Sequence, residues 1–299
     1  MIVVTGATGQ LGSQIVRQLI ERLPPEQVGV SVRDVDRAAD LAALGVRVRH
    51  GDFTDPATLA HAFEGASQVL VVSSDTHAGD AVTQHTAALD AARAAGAGRV
   101  LYTSHQGAGP DSLFAPMRDH AATEAHLAGL GMPFTSLHNG FYASTVPFLL
   151  GPALATGEIR APADGPVSWT THADLAAVAA AVLAGDLTSN GLDGITPPLT
   201  AAAAYDLDAV ARILTDLTGR TVRRTVVDDE DYTRGLVANG VPEEAAAMML
   251  GIYLASRRGE FAATDPTLER VLGRPAESIE TVLDRVVAGT GAAREGALP

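Results

Sequence analysis

Gly6, Gly9 and Gly12 stand three residues apart in the stretch Thr5-Gly-Ala-Thr-Gly-Gln-Leu-Gly12, directly after the apolar run Ile2 to Val4 and directly before a segment of helical period. A strand, a glycine turn and a helix start together form an anion site. The glycines let the backbone approach a pyrophosphate, and the free N–H groups and dipole of the helix hold it. The spacing is G-x-x-G-x-x-G, not the G-x-G-x-x-G of dehydrogenases. It is therefore the strand–turn–helix context that marks Gly6, Thr8, Gly9, Gln10, Leu11 and Gly12 as a dinucleotide-binding turn; the alternative is a merely tight connection. About 20 positions past such a turn a dinucleotide-binding chain meets the adenosine ribose. Here that place holds Arg33, with Arg37 one turn later. Guanidiniums suit a 2′-phosphate, whereas the neighbouring acids Asp34 and Asp36 would suit a free hydroxyl. NADP(H) is the expected cofactor, with NAD(H) admitted. Asp52, followed by Phe53, is placed to accept from the adenine amino group or to cap a helix near Pro56, and Ser73-Ser74 is placed to line the nicotinamide side.

What the chain lacks is equally informative. All 21 basic residues are arginine and there is no cysteine. That removes thiolate chemistry, disulfides, Cys-based zinc sites, Walker-type P-loops and Schiff bases. Composition bias accounts for the missing lysines, but the exclusion stands whatever the cause. No His/Asp/Glu spacing resembles a metal site, so no metal is expected, and the dinucleotide crevice is the one cofactor site the sequence offers, so no flavin is expected. A net charge of −14 argues against nucleic acid and anionic lipid as partners. No apolar run approaches the roughly 18 residues of a membrane span, and the chain enters its first strand without room for a signal peptide. A cytoplasmic protein is expected, for which a homodimer is compatible.

The elements that position these residues follow from periodicity. Leu11, Ile15, Leu19 and Leu23 give a helix that Pro24-Pro25 should end. Strands are expected at Val28 to Val32, Val46 to His50, Gln68 to Val72 and Arg99 to Thr103, with a helix from Gly79 to Ala95. Five strand–helix alternations in about 105 residues imply a doubly wound parallel sheet with right-handed crossovers and a ligand crevice at the carboxyl ends of its strands. Those ends carry Gly6 to Gly12, Arg33, Asp52, Ser73 and Ser104. A helix over Ala115 to Leu130 precedes a sixth strand, Phe134 to Leu137. After Pro152 the pattern shifts to short apolar segments, with helices expected at Ala173 to Leu183 and Asp206 to Thr218 and a strand at Thr221 to Val227. A last apolar stripe runs over Ile279, Val282, Leu283, Val286 and Val287, and residues beyond Ala288 read as a frayed tail. The division is residues 1–152 for dinucleotide binding and 153–299 for a smaller lobe packed on it.

TGATGQLG, SVRD, GDF, the strand ending YTS, the helix with HAATE, HNGFY and TTHADLA, in this order, resemble the NmrA-like atypical short-chain dehydrogenases, specifically their quinone oxidoreductase and triphenylmethane reductase branch. The resemblance runs from Ile2 to about Val287. It implies a Rossmann-type α/β domain with a C-terminal α+β substrate lobe, NADP(H) bound through Gly6, Gly9, Gly12 and Arg33, and a substrate pocket between sheet and lobe. Ordinary short-chain dehydrogenases use a serine and a Y-x-x-x-K pair. Ser104 falls where the serine belongs, but the helix reads His120-Ala-Ala-Thr-Glu124 and the chain has no lysine. His120 is the candidate proton donor against a surface histidine, and Glu124 is expected to be a solvated or capping carboxylate. Asn139 and Tyr142 are candidate pocket residues, with His105, Gln106 and His138 as further walls. Asp174 is expected to cap a helix. The activity implied is direct hydride transfer to a quinone or similarly conjugated acceptor, whose developing charge delocalises and tolerates the missing pair. The alternatives are a non-catalytic dinucleotide sensor of the NmrA type and a tailoring enzyme for polycyclic aromatic products.

Overall fold

The computed structural model describes residues 1–74, 80–185 and 192–295, the last six of these by backbone only. β1 (Ile2–Thr5), β2 (Val28–Val32), β3 (Arg47–His50), β4 (Gln68–Val71), β5 (Arg99–His105) and β6 (Phe134–Asn139) alternate with α1 (Gln10–Ile20), α2 (Ala39–Ala43), α3 (Ala57–Phe63), α4 (Asp80–Ala94) and α5 (Ala115–Gly129). Beyond them come β7 (Phe141–Tyr142), α6 (Val146–Leu150), α7 (Ala153–Thr156), β8 (Glu158–Ala161), β9 (Trp169–Thr170), α8 (His172–Ala184) and β10 (Gly194–Ile195). The chain closes with α9 (Leu207–Thr218), β11 (Arg223–Val226), α10 (Asp229–Ala238), α11 (Glu243–Arg257), α12 (Thr267–Leu272) and α13 (Ile279–Glu295).

One sheet of seven strands runs in the order β10-β6-β5-β4-β1-β2-β3, and every pairing in it is parallel. Parallel strands need covered faces. Helices α1 and α8 cover one face, with Ile15, Val16, Leu19, Val178 and Val182 buried against Val4, Val30 and Leu101. Helices α3, α4 and α5 cover the other, with Leu59, Phe63, Leu89 and Leu127 against Val3, Val69, Val100 and Tyr102. The strand order reverses between β1 and β4, which places the crevice at that switch point. The chain after 152 is not confined to the smaller lobe, because α8 packs along α1 and β10 becomes an edge strand of the main sheet. The lobe has its own core, in which Phe114, Phe141, Trp169, Tyr253 and Phe261 meet Leu214 and Leu283.

Several local expectations are corrected. Helix α1 stops at Ile20, short of the prolines, and Pro25 instead opens a 3₁₀ turn over Pro25–Gln27. The apolar stripe outruns the helix because Leu23 still folds back, its N–H donating to the Leu19 carbonyl at 2.8 Å. Helix α13 continues to Glu295, so no frayed segment begins at Ala288. Gly79, the expected start of the fourth helix, lies outside the described residues, as do residues 296–299. Among the described residues no helix is long and apolar enough to cross a membrane.

Candidate active site

The glycine turn has the shape its residue types imply. Gly6 takes φ +61°, in the left-handed region that glycine adopts without strain. Its carbonyl accepts the Gly9 N–H at 3.0 Å, and Gly9 is the N-cap of α1. No side chain caps that helix and its first turn holds no acid, so the first N–H groups are left for an anion. A Cβ on Gly12 would collide with the Gly6 carbonyl, lying 2.7 Å from its carbon and 3.1 Å from the Ala7 Cα. The turn is therefore folded on itself as tightly as backbone allows, a cradle that fits a pyrophosphate. Arg33, just past β2, is exposed, and its carbonyl is held at 3.0 Å by the His50 Nδ1.

Asp52 is not a helix cap. Its carboxylate accepts the Thr54 N–H and hydroxyl, each at 2.9 Å, and α3 begins with Pro56 at its N-cap instead. Those bonds hold the carboxyl below the usual carboxylate range, with lesser help from Arg33 and His50. Asp52 thus stays ionised near Arg33.

The exit of β4 is fastened by three successive side-chain bonds. Thr5 Oγ1 accepts the Val72 N–H at 2.9 Å, Thr103 Oγ1 accepts the Ser73 N–H at 2.8 Å, and His85 Nε2 accepts the Ser74 N–H at 2.9 Å. The hydroxyl of Thr103 also donates to the Ser73 Oγ at 3.1 Å. Ser73 and Ser74 thus occupy the expected edge, but their polar groups serve to fix the strand end.

His85 leads into a set of groups that the sequence pattern did not single out. Its Nδ1 is 3.1 Å from the Tyr102 hydroxyl and 3.2 Å from Thr123 Oγ1, and the same tyrosine hydroxyl is 2.7 Å from His120 Nδ1. Tyr102 has no exposed surface, and burial raises its phenol above the ordinary range. Burial lowers His85 to about 3, with the neighbouring His120 adding to it. Burial also lowers His120 to about 4, with Glu124 opposing and His138 reinforcing. His120 is half-buried, so it is neither a surface histidine nor a charged one at neutral pH. Tyr102 and His85 were legible as apolar-strand and helix positions only; a tyrosine inside a buried run, whose hydroxyl needs a partner, was the available signal.

Glu124 is neither solvated nor a cap. It is 8% exposed, and its Oε1 accepts from Ser136 Oγ at 2.6 Å and from His138 Nε2 at 2.8 Å. Burial alone would raise its pKa, but these bonds hold the carboxyl below the usual range. Helical spacing explains the error: position 124 lies one turn after His120 on the face that α5 turns to β5 and β6. Asp174 is also reassigned. Thr171 caps α8, accepting the Asp174 N–H, while the Asp174 carboxylate takes Arg274 at 2.7 Å and the Glu277 N–H at 2.8 Å. It ties α8 to the C-terminal segment.

Among the other expected residues, Ser104 and Asn139 end β5 and β6 at 2% and 1% exposure. The Ser104 Oγ and Asn139 Oδ1 are fully buried, with Ser104 close enough to Glu124, and Asn139 to Tyr142, to act downward on the Glu124 and Tyr142 pKa values. Tyr142 packs tilted against His172, ring centres 4.3 Å apart, and burial raises its phenol while a hydrogen bond from Asn139 opposes that shift. His105 and Gln106 are cement more than wall. The His105 ring is wedged edge-on between Phe141 and Phe261, and Gln106 Nε2 donates to Ser168 Oγ and the Phe261 carbonyl. His138 is held by Glu124. Among the described residues no cluster of His, Asp and Glu could hold a metal ion.

The model of the NmrA-like family matches residues 1–286. The chain belongs to the NmrA-like family. It is similar to quinone oxidoreductase 2 of Escherichia coli, 33% identical over 93% of this chain and 96% of that protein. It is also similar to the NAD(P)H azoreductase of Xenophilus azovorans, 32% identical over 98% and 100% of the two chains. Among solved structures it superposes on the Citrobacter sp. triphenylmethane reductase complexed with NADP(H), with a TM-score of 0.85 and 34% identity over 94% of this chain and 99% of that one. The Rossmann-type sheet expected of the family is the sheet observed.

The buried neutral histidines carry a consequence for stability. His85 and His105 are held unprotonated in the folded chain, and His120 with them. In the unfolded chain each titrates near 6.5. Their folded pKa values are lowered, so the unfolded state binds more protons below pH 6.5 and stability falls as pH drops, at up to about 1.4 kcal/mol per pH unit per histidine. Glu124 acts in the same direction only below about pH 4.5, its unperturbed range. The urea midpoint should therefore fall from pH 7 to pH 5, and by less in His85→Gln. An unchanged midpoint would mean these rings are charged or solvated in the fold.

Proposed function

We propose that this protein is an NAD(P)H-dependent oxidoreductase that reduces quinones or similarly conjugated aromatic acceptors, with NADPH the preferred donor. The carrying observation is the uncapped, self-folded glycine turn at α1, on the same edge of the parallel sheet as the carboxyl ends of β5 and β6 that carry Ser104 and Asn139. The turn fits the pyrophosphate. Bound NADPH would supply the hydride, and no flavin or metal is needed.

The residues divide the work as follows. Backbone N–H groups of Gln10, Leu11 and Gly12 hold the pyrophosphate, with Thr8 beside them. Arg33 meets the 2′-phosphate, and Asp52 and Phe53 close the adenine end. Ser73 and Ser74 form a rigid strand end on the nicotinamide side. Ser104, Asn139, Tyr142 and His120 orient the acceptor. The chain has no lysine to lower a tyrosine pKa, so the activity suits acceptors that need little acid help, because their negative charge spreads over a ring. The substrate lobe comprises the elements after residue 152 other than α8, β10 and α12, the last of which packs on α8.

The test is steady-state turnover with NADPH across quinones, azo dyes and simple ketones in flavin-free protein. Quinones should turn over and ketones should not. His120→Ala should cost about ten-fold on strongly electron-poor quinones and roughly 10²–10³-fold on weaker acceptors, the usual cost of losing one donor to a developing oxyanion. Tight binding of both oxidised and reduced dinucleotide without turnover of any acceptor would replace this reading with the sensor.

A further inference from the structure

The rings of His85, Tyr102 and His120 form a chain whose proton positions are determined from one end. The Ser74 N–H is a backbone donor with no alternative form, and it points at His85 Nε2 from 2.9 Å. A neutral imidazole accepts on one nitrogen and donates from the other, so His85 carries its proton on Nδ1. That proton has two oxygens in reach, Tyr102 Oη at 3.1 Å and Thr123 Oγ1 at 3.2 Å. Thr123 spends its own hydroxyl proton on the Asp119 carbonyl at 2.8 Å. With His85 Nδ1 already protonated, Tyr102 cannot donate there. Its proton goes to His120 Nδ1 at 2.7 Å, the shortest contact of the chain. His120 then carries its own proton on Nε2.

We propose that Tyr102 and His85 are positioning residues that lock His120 as a neutral Nε2–H donor, which polarises an acceptor oxygen without surrendering its proton. The proposal rests on the oxidoreductase reading above and gives His120 its manner of action there. The groups around the ring agree with it. Tyr102 lies beneath it, with ring centres 5.7 Å apart, while His85 and His105 stack near it at 6.4 and 6.5 Å. Glu124, one turn along α5, has its Oε1 occupied by Ser136 and His138. A second proton on His120 would need a site on Nδ1, which Tyr102 fills, in surroundings where burial already disfavours charge.

The chemistry balances without an acid. A quinone that accepts a hydride from the nicotinamide donor gains two electrons and one hydrogen, and becomes a hydroquinone monoanion. His120 Nε2–H hydrogen-bonds the oxygen on which that charge settles. The monoanion takes its proton from water after release, so His120 begins and ends neutral. A simple ketone would become an alkoxide, and protonating it from a neutral imidazole would leave an imidazolate where burial disfavours charge. The lock thereby selects acceptors whose reduced form survives as an anion.

The decisive experiment labels the histidines with ¹⁵N and reads their tautomers by long-range ¹H–¹⁵N correlation at pH 7 in dinucleotide-free protein. His120 should show a protonated Nε2 and an accepting Nδ1. Tyr102→Phe removes one oxygen from a fully buried ring, and circular dichroism checks its fold. It should give His120 a mixed tautomer, and so should His85→Gln, through release of Tyr102. In turnover, Tyr102→Phe should lower kcat on a quinone about ten-fold and leave the KM for NADPH within about two-fold. The kcat of the unmodified protein should be flat from pH 5.5 to 8, whereas an imidazolium acid would lose ten-fold per pH unit there. An Nδ1–H or doubly protonated His120, or a tautomer unchanged in Tyr102→Phe, overturns the lock. If no acceptor turns over, the spectra still decide the lock, and only the oxidoreductase reading falls.

Discussion

Gly12→Ala should weaken dinucleotide binding by at least about 100-fold, the largest loss expected from a single added carbon in this chain. The new Cβ would be driven into the Gly6 carbonyl, with the carbonyl carbon at 2.7 Å and the Ala7 Cα at 3.1 Å. All three atoms are backbone, so no rotamer change relieves the contact. The turn must open, and opening moves the Gly6 carbonyl that positions the Gly9 N–H and starts α1. A tenfold change in binding is about 1.4 kcal/mol, and overpacking a tight site typically costs 1–3 kcal/mol, so two decades is within that range. Gly9→Ala is the control. There the Cβ meets only the Gly6 oxygen at 3.3 Å, a contact that a few tenths of an ångström relieve, so binding should survive within about ten-fold. Gly9→Val should then fail like Gly12→Ala, because its two methyls project into the path of the phosphates while the fold is retained. Calorimetric titration with NADPH, alongside circular dichroism, checks the series. Binding in Gly12→Ala equal to that of the unmodified protein would place the cofactor away from this turn.

The same contrast explains what the sequence made legible. The turn, the five alternations and the parallel sheet all follow from local patterns, namely three glycines, apolar runs and helical spacing, and the sheet repeats them strand for strand. Asp206, expected as the first residue of a helix, is instead the N-cap of α9, accepting the Ala209 N–H at 2.7 Å. Contacts across the sheet were not visible. His85, Tyr102 and His120 lie on α4, β5 and α5, and nothing in their separations of 17 and 18 residues signals contact. Glu124 and His138 meet for the same reason, since a helix and a following strand face each other only after both are packed. In each case a polar side chain occurs within a pattern that buries it, and burial obliges it to find a partner. Tyr102 in Val-Leu-Tyr-Thr-Ser and His85 among the alanines of α4 carried that obligation in the sequence, without naming the partner. The return of β10 to the sheet was hidden more deeply, because a two-residue strand has no periodicity to read.

Arg33→Ala should lower affinity for NADPH by about 10- to 150-fold while leaving NADH within about two-fold. A hydrogen bond to a charged group contributes about 1.5–3 kcal/mol, and that energy converts to this range. The guanidinium starts from an exposed position at the end of β2, so it gains a 2′-phosphate without first breaking an ion pair among the described residues. Its backbone is not free to drift, because His50 Nδ1 holds the Arg33 carbonyl at 3.0 Å from the end of the adjacent strand. Of the neighbouring acids, Asp34 is engaged elsewhere. Asp34 Oδ1 accepts the Asp36 N–H at 3.1 Å, a turn-forming bond that commits this carboxylate to the local backbone. Asp52 is the remaining acid near Arg33, kept ionised chiefly by Thr54, and it steadies the cation without a direct bond. Arg37 stands one turn further along and should contribute less, so Arg37→Ala is expected to cost under ten-fold. Calorimetry with both dinucleotides at fixed ionic strength decides the matter, since the guanidinium–phosphate contribution weakens with salt and the ribose hydroxyl contribution does not. Equal affinities for NADPH and NADH in the unmodified protein would assign the ribose to the neighbouring carboxylates and leave Arg33 a solvated charge.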